Sequence, residues 1–128
     1  MSQKKVIATE KAPNAIGPYS QGVESKNGFL FLSGQAPLEP STGTLTEGTI
    51  KDKTHRVMKN LQAILEEAGL TFNNVVKTTI FCTDLANFKD INEVYGSYFE
   101  KPYPARSTVQ VAALPLGIEV EIEMIAER

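Results

Sequence analysis

The chain has 128 residues, of which 41% are hydrophobic and 22% charged, and its formal net charge is −2. This length and composition are typical of a single globular domain, residues 1–128, with its own hydrophobic core. The mild negative charge argues against a constitutive nucleic-acid-binding protein, because such proteins usually carry a basic patch or stripe.

The single cysteine, Cys82, excludes a disulfide within the chain and indicates a reducing compartment. Residues 1–7 carry charge but no long apolar core, so they do not have the pattern of a signal peptide. No apolar run approaches the ~20 residues that a membrane span needs. We therefore expect a cytoplasmic protein that does not bind a membrane.

The first third of the chain predicts a strand, an irregular segment and a β-hairpin. A short strand is predicted over residues 6–9, and two prolines and a glycine make residues 11–20 irregular. The Asn27-Gly28 dipeptide lies between two apolar runs, which is the strongest short-range signal of a hairpin. The second run, 29–32, has four consecutive apolar residues, so we expect a strand that is buried on both faces.

A loop over residues 37–48, rich in proline and glycine, leads into the first predicted helix. Thr49 and Asp52 have the spacing of a capping box, and Gly69 is placed to end the helix. Between them, apolar residues recur at the spacing of one helical face: Val57, Leu61, Ile64, Leu65 and Ala68.

The second half predicts a strand, a helix and two final strands. β-Branched residues over 75–83 predict a long strand, and Asn87 is placed to cap a second helix that two prolines end. The apolar face of this helix consists of Ile91, Val94, Tyr95, Tyr98 and Phe99. The last strands are predicted over 107–111 and 118–125. The order β-β-β-α-β-α-β-β indicates an α+β fold with both helices packed on one face of a sheet.

The other face of this sheet also needs a cover. The last strand alternates apolar residues with Glu119, Glu121 and Glu123, but the strands at 29–32 and 75–81 place apolar residues on both faces. Two helices can cover only one face. Burial against another copy of the chain, in a closed homo-oligomer, is the simplest solution.

An arginine and a row of glutamates are the strongest candidates for chemistry. Arg106 lies near the start of a predicted strand, where its fork could bind a small carboxylate at two points. The alternative is a solvated surface arginine. One of Glu119, Glu121 and Glu123 could act as a general base, although a row of solvated glutamates fits the pattern equally well. Spacing alone does not choose among them.

Other candidates have simple structural explanations. Tyr19 could present its hydroxyl to a pocket or pack with a solvated tip, and Gly34 could admit a ligand or only make a turn. Cys82 in an apolar strand is typical of a core residue, and the single His55 has no triad partners. The sequence contains neither a cluster of metal ligands nor a glycine-rich phosphate motif, so no cofactor is expected.

Six motifs along the chain resemble the RidA (YjgF/UK114) family of reactive-intermediate deaminases. In chain order they are Ala12-Pro13-x-x-Ile16-Gly17-Pro18-Tyr19-Ser20-Gln21, Leu32-Ser33-Gly34-Gln35, Val76-Lys77-Thr78-Thr79, Asn92-Glu93-Val94-Tyr95, Pro104-Ala105-Arg106-Ser107 and Val120-Glu121-Ile122-Glu123. The resemblance extends from about Ile7 to Ala126 without a large insertion.

The resemblance implies a chorismate-mutase-like fold, assembled as a homotrimer with a central β-barrel and three clefts between subunits. The implied activity is the hydrolysis of 2-imino acids, such as 2-iminobutanoate and 2-iminopropanoate, or their enamine tautomers, to 2-oxo acids and ammonia. Pyridoxal-phosphate-dependent dehydratases release such intermediates. Two alternatives stay open: a ligand-sensing or regulatory module that uses the same cleft, and an endoribonuclease, which the negative charge and lone histidine do not favour.

The resemblance also implies roles for individual residues. Arg106 would bind the substrate carboxylate, and Glu121 would position and activate the attacking water. The substrate-binding positions that it implies are Tyr19, Ser33, Gly34, Phe88, Asn92 and Thr108. Many family members have a cysteine where this chain has Thr108, so we expect its backbone to keep the ligand contact without thiol chemistry at this position.

Overall fold

The computed structural model describes residues 4–128, in which six strands form one mixed sheet that packs against two α-helices. The elements are β1 (Lys5–Ile7), β2 (Gly22–Glu24), β3 (Phe29–Gln35), α1 (Ile50–Glu67), β4 (Val75–Cys82), α2 (Phe88–Gly96), β5 (Ala105–Gln110) and β6 (Val120–Glu127). The predicted order of strands and helices is confirmed. No helix in this part of the chain is long and apolar enough to cross a membrane.

The strands lie side by side in the order β1-β2-β3-β6-β4-β5. Strand β6 pairs antiparallel with both β3 and β4 at the centre of the sheet. Only β4 and β5 run parallel, because the connection between them crosses over through α2. This crossover makes β5 an edge strand that lies beside α2.

The predicted hairpin and the ends of α1 form as their local sequence requires. The turn between β2 and β3 contains Gly28 with a φ of +87°, which suits glycine. At the start of α1, the Thr49 hydroxyl accepts the Asp52 N–H at 3.2 Å, and the Asp52 carboxylate accepts the Thr49 N–H at 2.9 Å. At its end, Gly69 has a φ of +75° and the Leu70 N–H bonds back into the last turn. The capping box and the glycine end are confirmed.

The core lies between the helices and one face of the sheet. The predicted apolar stripe of α1 is buried there, with Val57, Leu61, Ile64 and Leu65 fully inaccessible. The sheet contributes alternating apolar residues from its central strands, such as Ile80 in β4. Full burial of each such side chain is worth roughly 1.5–3 kcal/mol, so this layer supplies most of the driving force for folding.

Helix α2 differs from the prediction at both ends. It stops at Gly96, and Phe99 packs against the core from the following turn. Asn87 occupies the position before the helix, but its side chain makes no capping hydrogen bond. A short 3-10 turn precedes α2, and there the Asp84 carboxylate accepts the Ala86 N–H at 2.9 Å. The predicted side-chain cap by Asn87 is therefore wrong.

The predicted boundaries of three strands are shifted by one or two residues. Strand β1 covers Lys5–Ile7 rather than 6–9, and β5 begins at Ala105 rather than residue 107. Strand β6 begins at Val120 rather than residue 118, because a 3-10 turn over Pro115–Gly117 leads into it.

Strand β3 is buried on one face only in the single chain. Leu30 and Leu32 are 0% and 4% exposed, whereas Phe29 and Phe31 are 36% and 47% exposed. The prediction of a strand buried on both faces is therefore wrong for the single chain, because the two helices cover one face and side chains alternate along a strand. The opposite face, which also carries the exposed Val109, is called the open face below.

Candidate functional site

Arg106 lies on edge strand β5 and points toward helix α2. It is paired with Thr78 of β4, whose buried hydroxyl is 2.7 Å from the Tyr95 hydroxyl of α2. Paired residues of neighbouring strands point to the same face, so Arg106 lies on the helix side of the sheet. One of its terminal nitrogens, Nη1, donates a hydrogen bond to Oδ1 of Asn92 at 2.6 Å.

Two aromatic rings hold the guanidinium of Arg106. Its central carbon lies 5.3 Å from the centroid of Phe88 and 5.1 Å from that of Tyr95. Such cation–π contacts fix the plane of the guanidinium and leave its remaining N–H groups in that plane. They face a cavity of about 470 Å³ that Asn92 and Tyr103 also line. This arrangement presents a preorganised fork to a carboxylate.

Thr108 lies two residues after Arg106 and therefore on the same face of β5. Its hydroxyl oxygen is buried and has no hydrogen-bond partner among residues 4–128. An unsatisfied buried polar group costs about 1–3 kcal/mol. A bound ligand or a second chain could supply the missing partner.

A second cluster surrounds the carboxyl group of Glu121 in a groove of about 700 Å³ on the open face. Glu121 is half-buried, and its carboxyl group makes no hydrogen bond or ion pair with residues 4–128. Gly34 packs directly against it, since a Cβ at position 34 would lie 2.5 Å from Oε2 of Glu121. Only glycine at position 34 leaves room for the carboxyl group in this place.

The environment of Glu121 favours its protonated form. Burial raises the pKa of the Glu121 carboxyl above its usual range, and the charge of Glu123 raises this pKa further. A carboxylate with a raised pKa is a stronger base and can also hold a proton at a pH closer to neutrality. The groove therefore contains a group suited to proton transfer.

The three glutamates of the predicted row do not share one environment. The Glu119 carboxylate accepts hydrogen bonds from the ammonium of Lys53 on α1 at 2.9 and 3.1 Å, and it lies outside the groove. Glu121 and Glu123 both line the groove. The predicted row is wrong for Glu119, because this residue precedes β6 and its strand alternation.

Tyr19 and Ser33 lie in the same groove as Glu121. Tyr19 is 53% exposed, and its hydroxyl accepts a weak hydrogen bond from the backbone N–H of Ile16 at 3.4 Å. The Ser33 hydroxyl donates to the carbonyl oxygen of Ser20 at 2.6 Å, which ties the end of β3 to the loop that carries Tyr19. Both side chains are positioned by this loop.

Gln21 holds that loop, and sequence reasoning did not single out its role. Its side chain is buried, accepts the Thr9 N–H at 2.7 Å and donates to three backbone carbonyls, those of Thr9, Ala12 and Pro13. Glutamine is usually solvated, so composition gives no signal for such a role. The irregular loop before Gln21 cannot pair its backbone N–H and C=O groups in a sheet or helix. Its sequence therefore indicated that a nearby polar side chain would bond them.

Within one chain the predicted site residues form two clusters on opposite faces of the sheet. Strand β4 shows this directly, because Thr78 pairs with Arg106 while Phe81 pairs with Glu121, and these two residues of β4 point in opposite directions. Asn92, Phe88 and Thr108 belong with Arg106, and Tyr19, Ser33 and Gly34 belong with Glu121. The sheet separates the candidate carboxylate-binding group from the candidate base.

The remaining chemically active side chains are engaged elsewhere. Cys82 is buried, and burial raises the pKa of its thiol, which makes it a poor nucleophile. Nδ1 of His55 is 2.9 Å from the hydroxyl of Tyr98. Among residues 4–128, no group of three or more His, Cys, Asp or Glu side chains could hold a metal ion.

Comparison with known proteins gives consistent matches over almost the whole chain. The profile of the family described as Endoribonuclease L-PSP matches residues 9–128. Reactive Intermediate Deaminase A, chloroplastic, from Arabidopsis thaliana is 52% identical over 124 residues, which cover 97% of this chain and 66% of that protein. The 2-iminobutanoate/2-iminopropanoate deaminase of Mus musculus is 50% identical over 123 residues, which cover 96% of this chain and 90% of that protein.

The solved structures agree with these matches. The crystal structure of E. coli TdcF with bound serine superposes with a TM-score of 0.91 at 45% sequence identity, and the match covers 97% of this chain and 99% of that one. The predicted fold class is therefore confirmed by a structure as well as by the arrangement of strands and helices.

Proposed function

We propose, from the premise that the chain belongs to the Endoribonuclease L-PSP family (the RidA/YjgF family), that it hydrolyses reactive 2-imino acids to 2-oxo acids and ammonia. The predicted family membership is confirmed, and relatives that are about half identical carry the name of this activity. The substrates are 2-iminobutanoate, 2-iminopropanoate and their enamine tautomers. A cytoplasmic location is part of the proposal, supported by the free thiol of Cys82.

The observation that carries the proposal is the guanidinium of Arg106. Its central carbon lies 5.1–5.3 Å from the centroids of two aromatic rings, one nitrogen donates to the Asn92 amide, and the side chain lines an open cavity. Every 2-imino acid and 2-oxo acid has a carboxylate next to the reacting carbon. A rigid fork that binds this carboxylate therefore fixes the position of the reacting carbon.

The substrate site is completed by a second copy of the chain. Arg106 and Glu121 lie on opposite faces of one sheet, so one chain cannot place both against a small acid. Edge strand β5 of one protomer, docked on the Glu121 groove of its neighbour, would bring the two groups to one cleft. We propose a homotrimer with three such clefts, in which each Arg106 acts with the Glu121 of the adjacent protomer.

The proposed reaction needs only binding and one proton-transferring group. Arg106 binds the carboxylate, and Glu121 accepts a proton from a water molecule as the water oxygen bonds to C2. The imine reacts in its protonated form, so the electron pair of the broken C=N π bond stays on nitrogen and the adduct carries a hydroxyl and an amino group on C2. Glu121 returns its proton to the amino group, the C2–N bond breaks to release ammonia, and the hydroxyl gives its proton to Glu121 as the carbonyl forms. The imine and water are consumed, and one 2-oxo acid and one ammonia are formed.

The demand on this site is small, because free imines already hydrolyse in water. General acid–base catalysis contributes typically about 10²–10⁴-fold, and fixed orientation adds to it. The other predicted residues assist: Tyr19, Ser33 and Gly34 shape the cleft beside Glu121, and Phe88, Asn92 and Thr108 shape it beside Arg106. Such a site needs no further catalytic group.

The proposal is tested by complementation between two inactive variants. Arg106→Ala and Glu121→Gln are prepared separately and co-expressed with different affinity tags, and mixed oligomers are purified through both tags. Activity is the suppression of semicarbazone formation when imine is released by threonine dehydratase. Each variant alone should be inactive, and trimers that contain both variants should recover about one third of the wild-type activity, because one of their three clefts receives both intact residues.

The matched control is one variant co-expressed with itself under the two different tags, and oligomers purified through both tags should then stay inactive. If the mixed oligomers also stay inactive although both single variants form oligomers, the two residues do not act across an interface. If Arg106→Ala alone retains wild-type activity, the carboxylate is bound elsewhere and the proposed site is wrong.

Two other functions are separated from hydrolysis by simple measurements. A ligand sensor that uses the same cleft would bind 2-oxobutanoate without suppressing semicarbazone formation. An endoribonuclease, the activity in the family description, would bind RNA with an affinity that falls steeply with salt. The net charge of −2 and the engagement of the single histidine, His55, with Tyr98 favour neither RNA binding nor acid–base cleavage of RNA.

A further inference from the structure

Leu116 has an unusual backbone conformation, and no contact within the chain compensates for its cost. It lies in the 3-10 turn before β6 and has a φ of +63°, whereas the other described positive-φ residues are glycines. A left-handed conformation costs a non-glycine residue roughly 1–2 kcal/mol. Its side chain is 69% exposed, so packing within the chain does not offset this cost.

The turn that carries Leu116 is anchored by the two residues that follow it. Ile118 is only 4% exposed and anchors the turn in the fold. The following residue, Glu119, forms the ion pair with Lys53 and accepts the Thr83 N–H at its carbonyl oxygen, at 3.2 Å. The Leu116 side chain is therefore presented at a defined place rather than on a loose loop.

That place is the groove of Glu121. Leu116 lines the groove, and so does Ile16 from the separate loop that carries Tyr19. Ile16 is 87% exposed, so two large aliphatic side chains stand open in the cavity whose carboxyl group performs the proposed proton transfer. The groove has about 700 Å³ in the single chain, and strand β5 of the neighbouring protomer fills part of it in the proposed trimer.

We propose that Leu116, together with Ile16, determines substrate specificity by contacting the side chain of 2-imino acids with larger apolar groups. This inference rests on the proposed function, because it assumes that the reacting carbon lies beside Glu121. The preferred substrates then carry a branched aliphatic or aromatic side chain, which is transferred from water into contact with Leu116 and Ile16. The polar end of the substrate stays with the carboxylate-binding group.

The test compares a small and a large substrate in the wild type and in Leu116→Gly. Glycine accepts the left-handed conformation, so the substitution removes the side chain without straining the turn. The ratio of kcat/KM for the imine of leucine to that for the imine of alanine is measured by competition with semicarbazide, with both imines made by an amino-acid oxidase. The dissociation constants of 4-methyl-2-oxopentanoate and 2-oxobutanoate are measured by calorimetry.

We expect the preference for the large substrate and for the large 2-oxo acid to fall on the order of tenfold in Leu116→Gly and to fall also in Ile16→Ala. Leu45→Ala is the matched control, because Leu45 is a 49% exposed leucine that does not line this groove, and it should leave both ratios unchanged. Ratios unchanged within twofold in both groove variants overturn the inference. A change in oligomeric state in Leu116→Gly, measured by light scattering, overturns it as well, since Leu116 then contacts a second copy.

The two assays also separate this inference from the proposed function. If the wild type binds 4-methyl-2-oxopentanoate more tightly than 2-oxobutanoate, and Leu116→Gly loses that preference, the specificity role is supported even when no imine is hydrolysed. Hydrolysis of both imines with equal preference in all variants supports the enzyme and contradicts the role of Leu116.

Discussion

At the scale of single residues, the contacts of the Arg106 guanidinium determine how it can bind a carboxylate. A guanidinium is planar and presents several donors in a fixed fork, whereas a lysine ammonium is a point charge on a flexible chain. Here the plane is fixed by Phe88 and Tyr95, and one nitrogen is held by Asn92. A lysine at position 106 would keep the charge and lose both the stacking and the two-point contact.

We therefore expect Arg106→Lys to lower kcat/KM for 2-iminobutanoate by roughly 10–100-fold, the value of one or two charge-assisted hydrogen bonds. The assay is semicarbazide trapping over a range of enzyme concentrations. Arg56→Lys is the matched control, because its guanidinium lies 3.9 Å from Glu39 and outside both cavities. Equal losses in both variants would show that the effect is structural.

The carboxyl of Glu121 leads to a prediction about pH. The titratable groups that line the groove with it are Glu123 on the same strand and Tyr19 on the facing loop. The charge of Glu123 helps to raise the pKa of Glu121, so Glu123→Gln should lower that pKa. The acid limb of the pH profile of kcat/KM should then move to lower pH, because Glu121 stays deprotonated further into acid.

The plateau rate of Glu123→Gln should fall modestly, because a carboxylate of lower pKa is a weaker base. The profile is measured between about pH 4 and 8 against wild type, where histidine and carboxyl groups titrate. Glu119→Gln is the control, because Glu119 lies outside the groove in an ion pair with Lys53. An acid limb that moves to higher pH, or does not move, contradicts the coupling between the two glutamates.

At the scale of elements, an irregularity in β3 makes the site. The pairing of β3 with β6 shifts register between Leu32 and Gln35, so β3 contains one extra residue there. This β-bulge contains Ser33 and Gly34 and places the backbone of Gly34 against Glu121. Bulges are common next to active sites, because they redirect side chains and end regular pairing.

We expect Gly34→Ala to displace the Glu121 carboxyl and to lower kcat about as much as Glu121→Gln, roughly 10²–10⁴-fold. The added Cβ would lie 2.5 Å from Oε2, and 2.9 Å from the carboxyl carbon. Circular dichroism and thermal melting should show a folded protein, since the carboxyl lies in an open groove and can move aside. Gly43→Ala is the control, because a Cβ there meets no atom within 4 Å and Gly43 lines neither cavity, although its φ of +74° costs alanine about 1–2 kcal/mol of stability. Full activity in Gly34→Ala would mean that the position of the carboxyl is not important.

At the scale of the whole molecule, the open face of the sheet stays uncovered in a single chain. Apolar side chains that are 36–58% exposed stand on it, and they include Val6, Phe29, Phe31 and Val109. Contiguous apolar surface of this kind marks an interaction surface. The proposed trimer covers it and completes the cleft at the same time.

We therefore expect Phe31→Glu to weaken the assembly and to abolish imine hydrolysis, because it places a charge on the apolar interface. Light scattering gives the oligomeric state of wild type and variant, and the semicarbazide assay gives the activity. Leu45→Glu is the control, since Leu45 is similarly exposed but lies outside the sheet. A wild type that is monomeric and fully active would contradict both the assembly and the shared cleft.

Much of the fold was predictable from the sequence alone, because its signals are local. The Asn27-Gly28 turn, the capping box of Thr49 and Asp52, and the apolar stripe of α1 involve residues within a few positions of one another. The motif resemblance then named Arg106 and Glu121 as candidates. The local signal at the start of α2 failed, because a 3-10 turn capped by Asp84 leads directly into the helix and the Asn87 side chain makes no capping hydrogen bond.

The tertiary structure alone decided which face each residue occupies. Arg106 and Glu121 are separated because β5 and β6 pair with β4 in registers that place them beside Thr78 and Phe81, which point to opposite faces, and these registers join distant segments. Glu119 is outside the predicted row because it precedes β6, and its carboxylate pairs with Lys53, 66 residues away. Periodicity tells which residues share a face, but only strand pairing and helix placement tell which face is covered. Because Arg106 and Glu121 lie on opposite faces, the proposed site needs two chains.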